Sequence, residues 1–409
     1  MRFATYAEIS RLPAVRRILL LGFFLRVPMT ASSVVVTLHV VGHLHRSYAE
    51  AGIVTTVLAV ALSLSSPWRG RMLDRVGLRR AVAPSLAVLA VGWSVAPWVS
   101  YWPLVAIVGV AGLFTVPSFS IVRQVLLGAV PPRQRTAALS IDSVVTETSF
   151  MLGPILGVLG ATYLPTPVAL LVCQLASVAA GGALWLANPP LRHGEPVAEA
   201  VKPGLRSWLT PGVVVVLLVA LTASLILTSE DLGSVAAMRA LGHTGSLGWV
   251  MALWAAGSAL GAIVYGALHR HPPAAVLLVL LGASTALVSL APDRTWFTLL
   301  IVLSGLFCAP TITATVDNLA HLVPTRVRGE AMGWHGSALT LGSALGAPVL
   351  GRAMDTGGWD LGLLLGGLGG LAMATVALLL HRRVSRPTLV AVPDDPEPTE
   401  PTEPRLKAA

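Results

Sequence analysis

Apolar runs long enough to cross a bilayer return along the whole of this chain, and they leave few choices of fold. A membrane helix needs roughly 20 apolar residues to span about 30 Å of hydrocarbon. Such runs lie near 17–41, 50–68, 81–101, 104–130, 137–163, 167–187, 211–239, 246–268, 273–291, 296–322, 331–353 and 361–380. Only 11% of the 409 residues are charged and mean hydropathy is +0.76, whereas soluble domains carry about 25% charged residues. A membrane barrel would instead show short strands of alternating polarity. The expected fold class is an all-α membrane protein of about twelve transmembrane helices.

Arginine placement sets the expected orientation, because basic residues accumulate in cytoplasmic loops. With the N-terminus inside, one side collects Arg11, Arg16, Arg17, Arg69, Arg71, Arg75, Arg79, Arg80, Arg133, Arg135, Arg270, Arg326, Arg328 and Arg382, among others. The other side receives only Arg46, Arg239, Arg294 and Arg352. Both termini are therefore expected in the cytoplasm of a multi-pass cell-membrane protein. The net charge of +9 reads as a topology signal, and no nucleic-acid partner is expected because the cations are dispersed over short loops. The first run is too long for a cleavable signal peptide and lacks a small-residue cleavage site. Cys173 and Cys308 fall inside apolar runs, which gives a disulfide or metal site little support.

Between the second and third runs stands Gly70-Arg71-Met72-Leu73-Asp74-Arg75-Val76-Gly77-Leu78-Arg79-Arg80. Glycine permits close helix approach, an acid suits a helix N-terminus, and arginines hold the loop in the cytosol. The segment resembles the loop signature of the major facilitator superfamily, with Gly70, Asp74, Arg75, Gly77, Arg79 and Arg80 in register and departures at Met72 and Leu78. An internal repeat agrees with it. Pro117 and Pro131 precede Arg133-Gln134-Arg135 as Pro310 and Pro324 precede Arg326-Val327-Arg328, and Gly153-Pro154-Ile155-Leu156-Gly157 has a counterpart in Ala347-Pro348-Val349-Leu350-Gly351. Gly266 matches Gly70, but Arg270 stands where Asp74 would be. The expected domains are two pseudo-symmetric six-helix bundles, 1–187 and 211–380, a cytoplasmic linker at 188–210 that cannot bury a core, and a disordered cytoplasmic tail at 381–409.

Ionisable groups at membrane depth are functional candidates, since each costs at least about 2.5–3.5 kcal/mol to insert. At about 1.5 Å per residue, Arg26 lies roughly 14 Å beyond Arg17 and Glu147 roughly 18 Å beyond Arg135, both near the midplane. The resemblance makes the first and fifth helices neighbours, so an Arg26–Glu147 ion pair is expected. Arg123 and Asp142, both roughly 10–12 Å from the cytosolic face, form a second expected pair. Each pair has two readings, a proton-coupling device or a salt bridge that only fixes helix register. Glu230 and Asp231 fall in the outer third of the seventh helix, as solvated acids at a helix end or as cavity residues. Asp317 reads as helix-end packing, His335 as a hydrogen-bonded core imidazole, and His39 and His43 as interfacial residues.

Gly153, Pro154 and Gly157 resemble part of the fifth-helix motif of exporters in the superfamily, with Ser149 in place of that motif's preceding glycine. Gly346, Pro348 and Gly351 offer a related packing face in the second half. No Walker-type loop, His-Glu-x-x-His, Cys-x-x-Cys or Gly-x-Ser-x-Gly is present, so neither an enzyme nor a cofactor is expected. The expected function is secondary active transport by alternating access: proton-coupled efflux, or antiport, of a small amphipathic or hydrophobic compound by a monomer. Transport of a polar metabolite and a non-transporting sensor or scaffold are the alternatives. Asp74 is expected to latch onto the start of the eleventh helix at Arg328-Gly329-Glu330, with Arg75 or Arg79 screening it from Glu330.

Overall fold

The computed structural model describes residues 3–191 and 204–384, and within them the chain is a bundle of helices. In chain order these are α1 (Phe3–Arg11), α2 (Pro13–Leu38), α3 (Tyr48–Val95), α4 (Tyr101–Phe114), α5 (Ser118–Ala129), α6 (Arg135–Tyr163), α7 (Thr166–Ala187), α8 (Leu205–Trp208), α9 (Pro211–Ala240), α10 (Leu247–Ala267), α11 (Ala274–Val288), α12 (Arg294–Leu322) and α13 (Arg328–Val384). Among the described residues nine helical stretches are long and apolar enough to cross a membrane, and α11 is a shorter apolar helix. Two of the nine, Glu50–Trp98 and Thr325–Leu380, run to 49 and 56 residues, far more than one crossing requires.

Local chemistry explains where the helices begin and bend. Ser47 and Glu50 form a reciprocal capping box at the start of α3, with Ser47 N donating to Glu50 Oε2 at 2.9 Å and Glu50 N to Ser47 Oγ at 3.2 Å. Asp293 accepts from Thr295 N and Trp296 N to start α12. The two very long stretches are each interrupted by a glycine with positive φ, Gly77 at 77° and Gly358 at 89°, a backbone state that side-chain-bearing residues avoid. The sequence places the first of these in the arginine-rich loop, so a turn there is what Gly77 supplies.

The internal repeat returns as matched packing. Short 3₁₀ turns, Pro132–Gln134 and Thr325–Val327, precede α6 and α13. Arg135 Nε donates to Leu127 O at 3.3 Å, and Arg328 Nη2 donates to Ala320 O at 3.1 Å. Each arginine thus ties the start of its helix to the carbonyl eight residues earlier. One apolar core lies wholly in the first half of the chain, from Ile9 to Leu184, and two others lie wholly in the second. A fourth joins the halves, packing Leu127 and Leu139 with Trp208, Val216, Leu319 and Met332.

That fourth core corrects one expectation. Trp208, inside the segment expected to be linker, is 2% exposed, because its indole fills the apolar gap between the halves. The rest of that expectation, at 192–203, lies outside the described residues, as does the tail after Val384; α13 itself continues past 381.

Candidate functional site

Helix α6 carries two polar stripes, and they do different things. Asp142, Thr146, Ser149 and Gly153 recur at helical spacing and face α2. Arg26 Nη1 donates to Asp142 Oδ1 at 2.7 Å and to Thr146 Oγ1 at 2.9 Å. Arg123 Nε lies 3.6 Å from Asp142 Oδ2, so two guanidiniums share one carboxylate. Phe119 lies under both, 4.5 Å from Arg26 Cζ and 5.5 Å from Arg123 Cζ. Arg26 is 0% and Asp142 1% exposed. Further along, Thr30 Oγ1 donates to Ser149 O at 3.1 Å. A side chain at Gly153 would strike Thr30, and one at Gly157 would come 2.6 Å from Ala31 O. These glycines let α2 and α6 meet backbone to backbone, with Pro154 half-buried between them.

The expected Arg26–Glu147 pair is therefore corrected: the partner is Asp142. Depth counting placed Arg26 roughly midway between Asp142 and Glu147, within about 4 Å of each, but Glu147 is five residues past Asp142, about 140° around the helix. It belongs to the second stripe, Thr136, Ser140, Ser143 and Glu147, which meets helices from the other half of the chain. Thr136 Oγ1 donates to Asp317 Oδ2 at 3.0 Å, Ser143 Oγ and Thr313 Oγ1 are 2.8 Å apart, and Ser258 Oγ donates to Glu147 Oε1 at 3.1 Å. Asp317, expected as helix-end packing, thus contributes to the seam between halves.

Glu230 is not a solvated acid. It is 1% exposed and accepts from Trp254 Nε1 at 2.8 Å, from Thr285 Oγ1 at 2.5 Å and from Ser304. Its three donors come from α10, α11 and α12, so four helices converge on one carboxylate. Asp231, the next residue, is exposed. His335 is fully buried against Thr315 Oγ1 at 2.8 Å, as a core imidazole would be. His39 is buried as well, stacked on His43 and 3.4 Å from Thr166 Oγ1, whereas His43 is exposed.

On the arginine-rich side, Asp74 reaches the first turn of α13. Gly329 N donates to Asp74 Oδ1 at 3.1 Å and Glu330 N to Oδ2 at 2.9 Å, the geometry of a carboxylate on a helix N-terminus. Gly70 makes room for it, since a side chain there would strike the Gly329 carbonyl. The residue that neutralises Glu330 is Arg71, in a direct ion pair, and not Arg75 or Arg79. Arg71 is one helical turn before Asp74, a spacing that already put both on one face. Arg79 instead donates to Trp185 O and Leu186 O, both at 3.4 Å, while Arg75 and Arg80 are exposed. The sequence reading also missed Arg69, 2% exposed, which donates to Ala81 O at 3.0 Å and to Ser85 and so staples the two arms of α3 across Gly77.

The second-half packing face is corrected in part. Gly346 sits against Thr228 and Leu225 of α9, but Gly351 has no atom in reach of a side chain there and Pro348 is exposed. The close approach in this region is at Gly342, against Leu221 O, one turn before Gly346. Among the described residues no group of three or more His, Cys, Asp or Glu side chains is arranged to hold a metal ion.

Comparison with known proteins places this architecture. Among curated proteins there is no significant match. Three solved structures share the fold: the human organic anion transporter MFSD10 (TETRAN), at 16% identity and TM-score 0.68 over 89% of this chain and 100% of that one; a bacterial homologue of the iron transporter ferroportin in an outward-facing state, at 14% and 0.73 over 91% and 100%; and the E. coli fucose:proton symporter FucP, at 12% and 0.71 over 91% and 99%. The Major Facilitator Superfamily profile matches residues 18–234 and 221–408. With both halves of the chain matched, and with long apolar helices around a polar seam, the protein belongs to the Major Facilitator Superfamily and is a multi-pass membrane carrier of small molecules.

Proposed function

We propose that the chain is a proton-coupled exporter of a small amphipathic or hydrophobic compound, working as a monomer by alternating access between two six-helix bundles. Folding the two very long stretches at Gly77 and Gly358, and counting α11 as a crossing, brings the spans to twelve. The arginine-rich side is then cytoplasmic and carries both termini. The cross-half bonds described above run from the middle of α6 to that side, which supports reading this conformer as open to the outside. The fucose:proton symporter and the outward-facing ferroportin homologue are carriers of the same fold, and they fit such a cycle.

The observation that carries the coupling is the Ser258–Glu147 hydrogen bond. It joins α6 to α10 through the one acid in the α6 stripe that faces the other half. Separating the halves must break that bond, so protonation of Glu147 and closure of the seam are linked. Glu230 stands behind it as a second acid, and the Arg26, Arg123 and Asp142 cluster holds α2, α5 and α6 in register. Export is supported by the Gly153–Gly157 seam, the structural form of the partial exporter motif.

The test is proton movement in proteoliposomes as each of a panel of lipophilic cations and polar metabolites flows down an imposed gradient of that compound. At least one amphipathic compound is expected to move protons in the opposite direction. Net flow of a compound with no proton movement, for every compound transported, would overturn the coupling, and proton movement in the same direction would overturn export.

A further inference from the structure

The Asp74 latch ties α3 to α13, but on the other side of the seam, where Gly266 of α10 meets the first half of α6, no acid stands in the place of Asp74. Gly266 occupies the place of Gly70 and lies against Ser140 of α6, whose Oγ would be 2.6 Å from a side-chain carbon at Gly266. Arg270, where an acid would stand, is exposed. A different side chain closes this contact. Tyr6 of α1 donates its hydroxyl to Ile263 O at 2.6 Å, across 257 residues of sequence, and a side chain at Gly266 would strike that same hydroxyl. Helix α1 is anchored in the first half, where Ile9 is 0% exposed in the apolar core and Pro13 starts α2 directly afterwards. Tyr6 thus reaches from one half to the last turn of a helix in the other.

We infer that Tyr6 is a second tie between the halves, replacing at the α6–α10 contact the acid that the second copy of the loop has lost. The inference rests on the alternating-access reading, since a tie matters only if the halves separate. Burial pushes the Tyr6 hydroxyl up to about 12, so it remains a protonated donor at neutral pH. Unlike Asp74, which holds backbone N–H groups with a charge, Tyr6 holds a carbonyl with a neutral donor, and this tie is the weaker of the two.

Spin labels at Arg133→Cys and His269→Cys, exposed positions on either side of this contact, report its opening in a Cys173→Ser, Cys308→Ala background. Tyr6→Phe keeps the ring and removes only the donor. It should raise the ratio of long to short distances by roughly 2- to 12-fold, the range for one neutral hydrogen bond. Asp74→Asn, the reference, should raise it further. Superimposable distributions for Tyr6→Phe and its parent overturn the inference. If Asp74→Asn still shifts the ratio, only Tyr6 is wrong; if neither variant shifts it, the separation of the halves on this side falls as well. Monodisperse elution of both variants confirms that the fold is retained.

Discussion

The two stripes of α6 are separated by little more than a third of a turn, yet one is locked and the other separable. Toward α2, Asp142 meets two buried guanidiniums and the glycines bring backbones into contact. Toward α10 and α12, the contacts are hydroxyls to hydroxyls or to single carboxylates. A buried ion cluster is costly to break because any survivor is left as an unpaired charge. A single side-chain hydrogen bond between membrane helices averages only about 0.6 kcal/mol. In the proposed cycle, the difference marks which helix pairs move as one body and which part.

The sharpest way to break this contrast is at Asp142. Asp142→Ala strands Arg26 and Arg123, and the variant should lose about 3–5 kcal/mol of stability, read as a large fall in Tm in detergent. If its Tm matches wild type, the first stripe is not a lock. Asp74→Asn comes next: it weakens two charge-assisted bonds, each worth about 1.5–3 kcal/mol. Labelling of a cysteine placed on the arginine-rich side should rise at least roughly tenfold, with thermal stability little changed. Gly157→Val should cost about 1–3 kcal/mol by forcing α6 off Ala31, whereas the same change at Gly351, which faces open space, should be neutral. Smallest is Ser258→Ala, which removes one seam bond and should lower Tm barely at all, consistent with about 0.6 kcal/mol, while still altering the pH profile of transport.

Depth along the helices was legible in the sequence, since helix rise is constant and arginines mark the boundary. The direction each residue faces was not. Counting placed Arg26 level with Glu147, but a side chain pairs with the helix it points at, and that depends on neighbours far away in sequence. Asp74 was readable because its partner is a backbone helix end, which needs no particular side chain. Glu230 was unreadable for the opposite reason: its environment is made by Trp254, Thr285 and Ser304 on three separate helices, none remarkable alone. The repeat was readable at Arg135 and Arg328, whose carbonyl ties are local. It failed at Gly351, where the second half keeps the motif's spelling without its close contact.

Of all measurements, substrate-driven proton movement by Glu147→Gln in proteoliposomes bears most directly on the separable stripe. Glutamine keeps an acceptor for Ser258, so the fold and the seam persist while the proton site is removed. The variant should still bind substrate and exchange it by counterflow, yet move no protons when substrate flows down an imposed gradient. Proton movement equal to that of wild type, at matched protein incorporation, would contradict the assignment of coupling to Glu147.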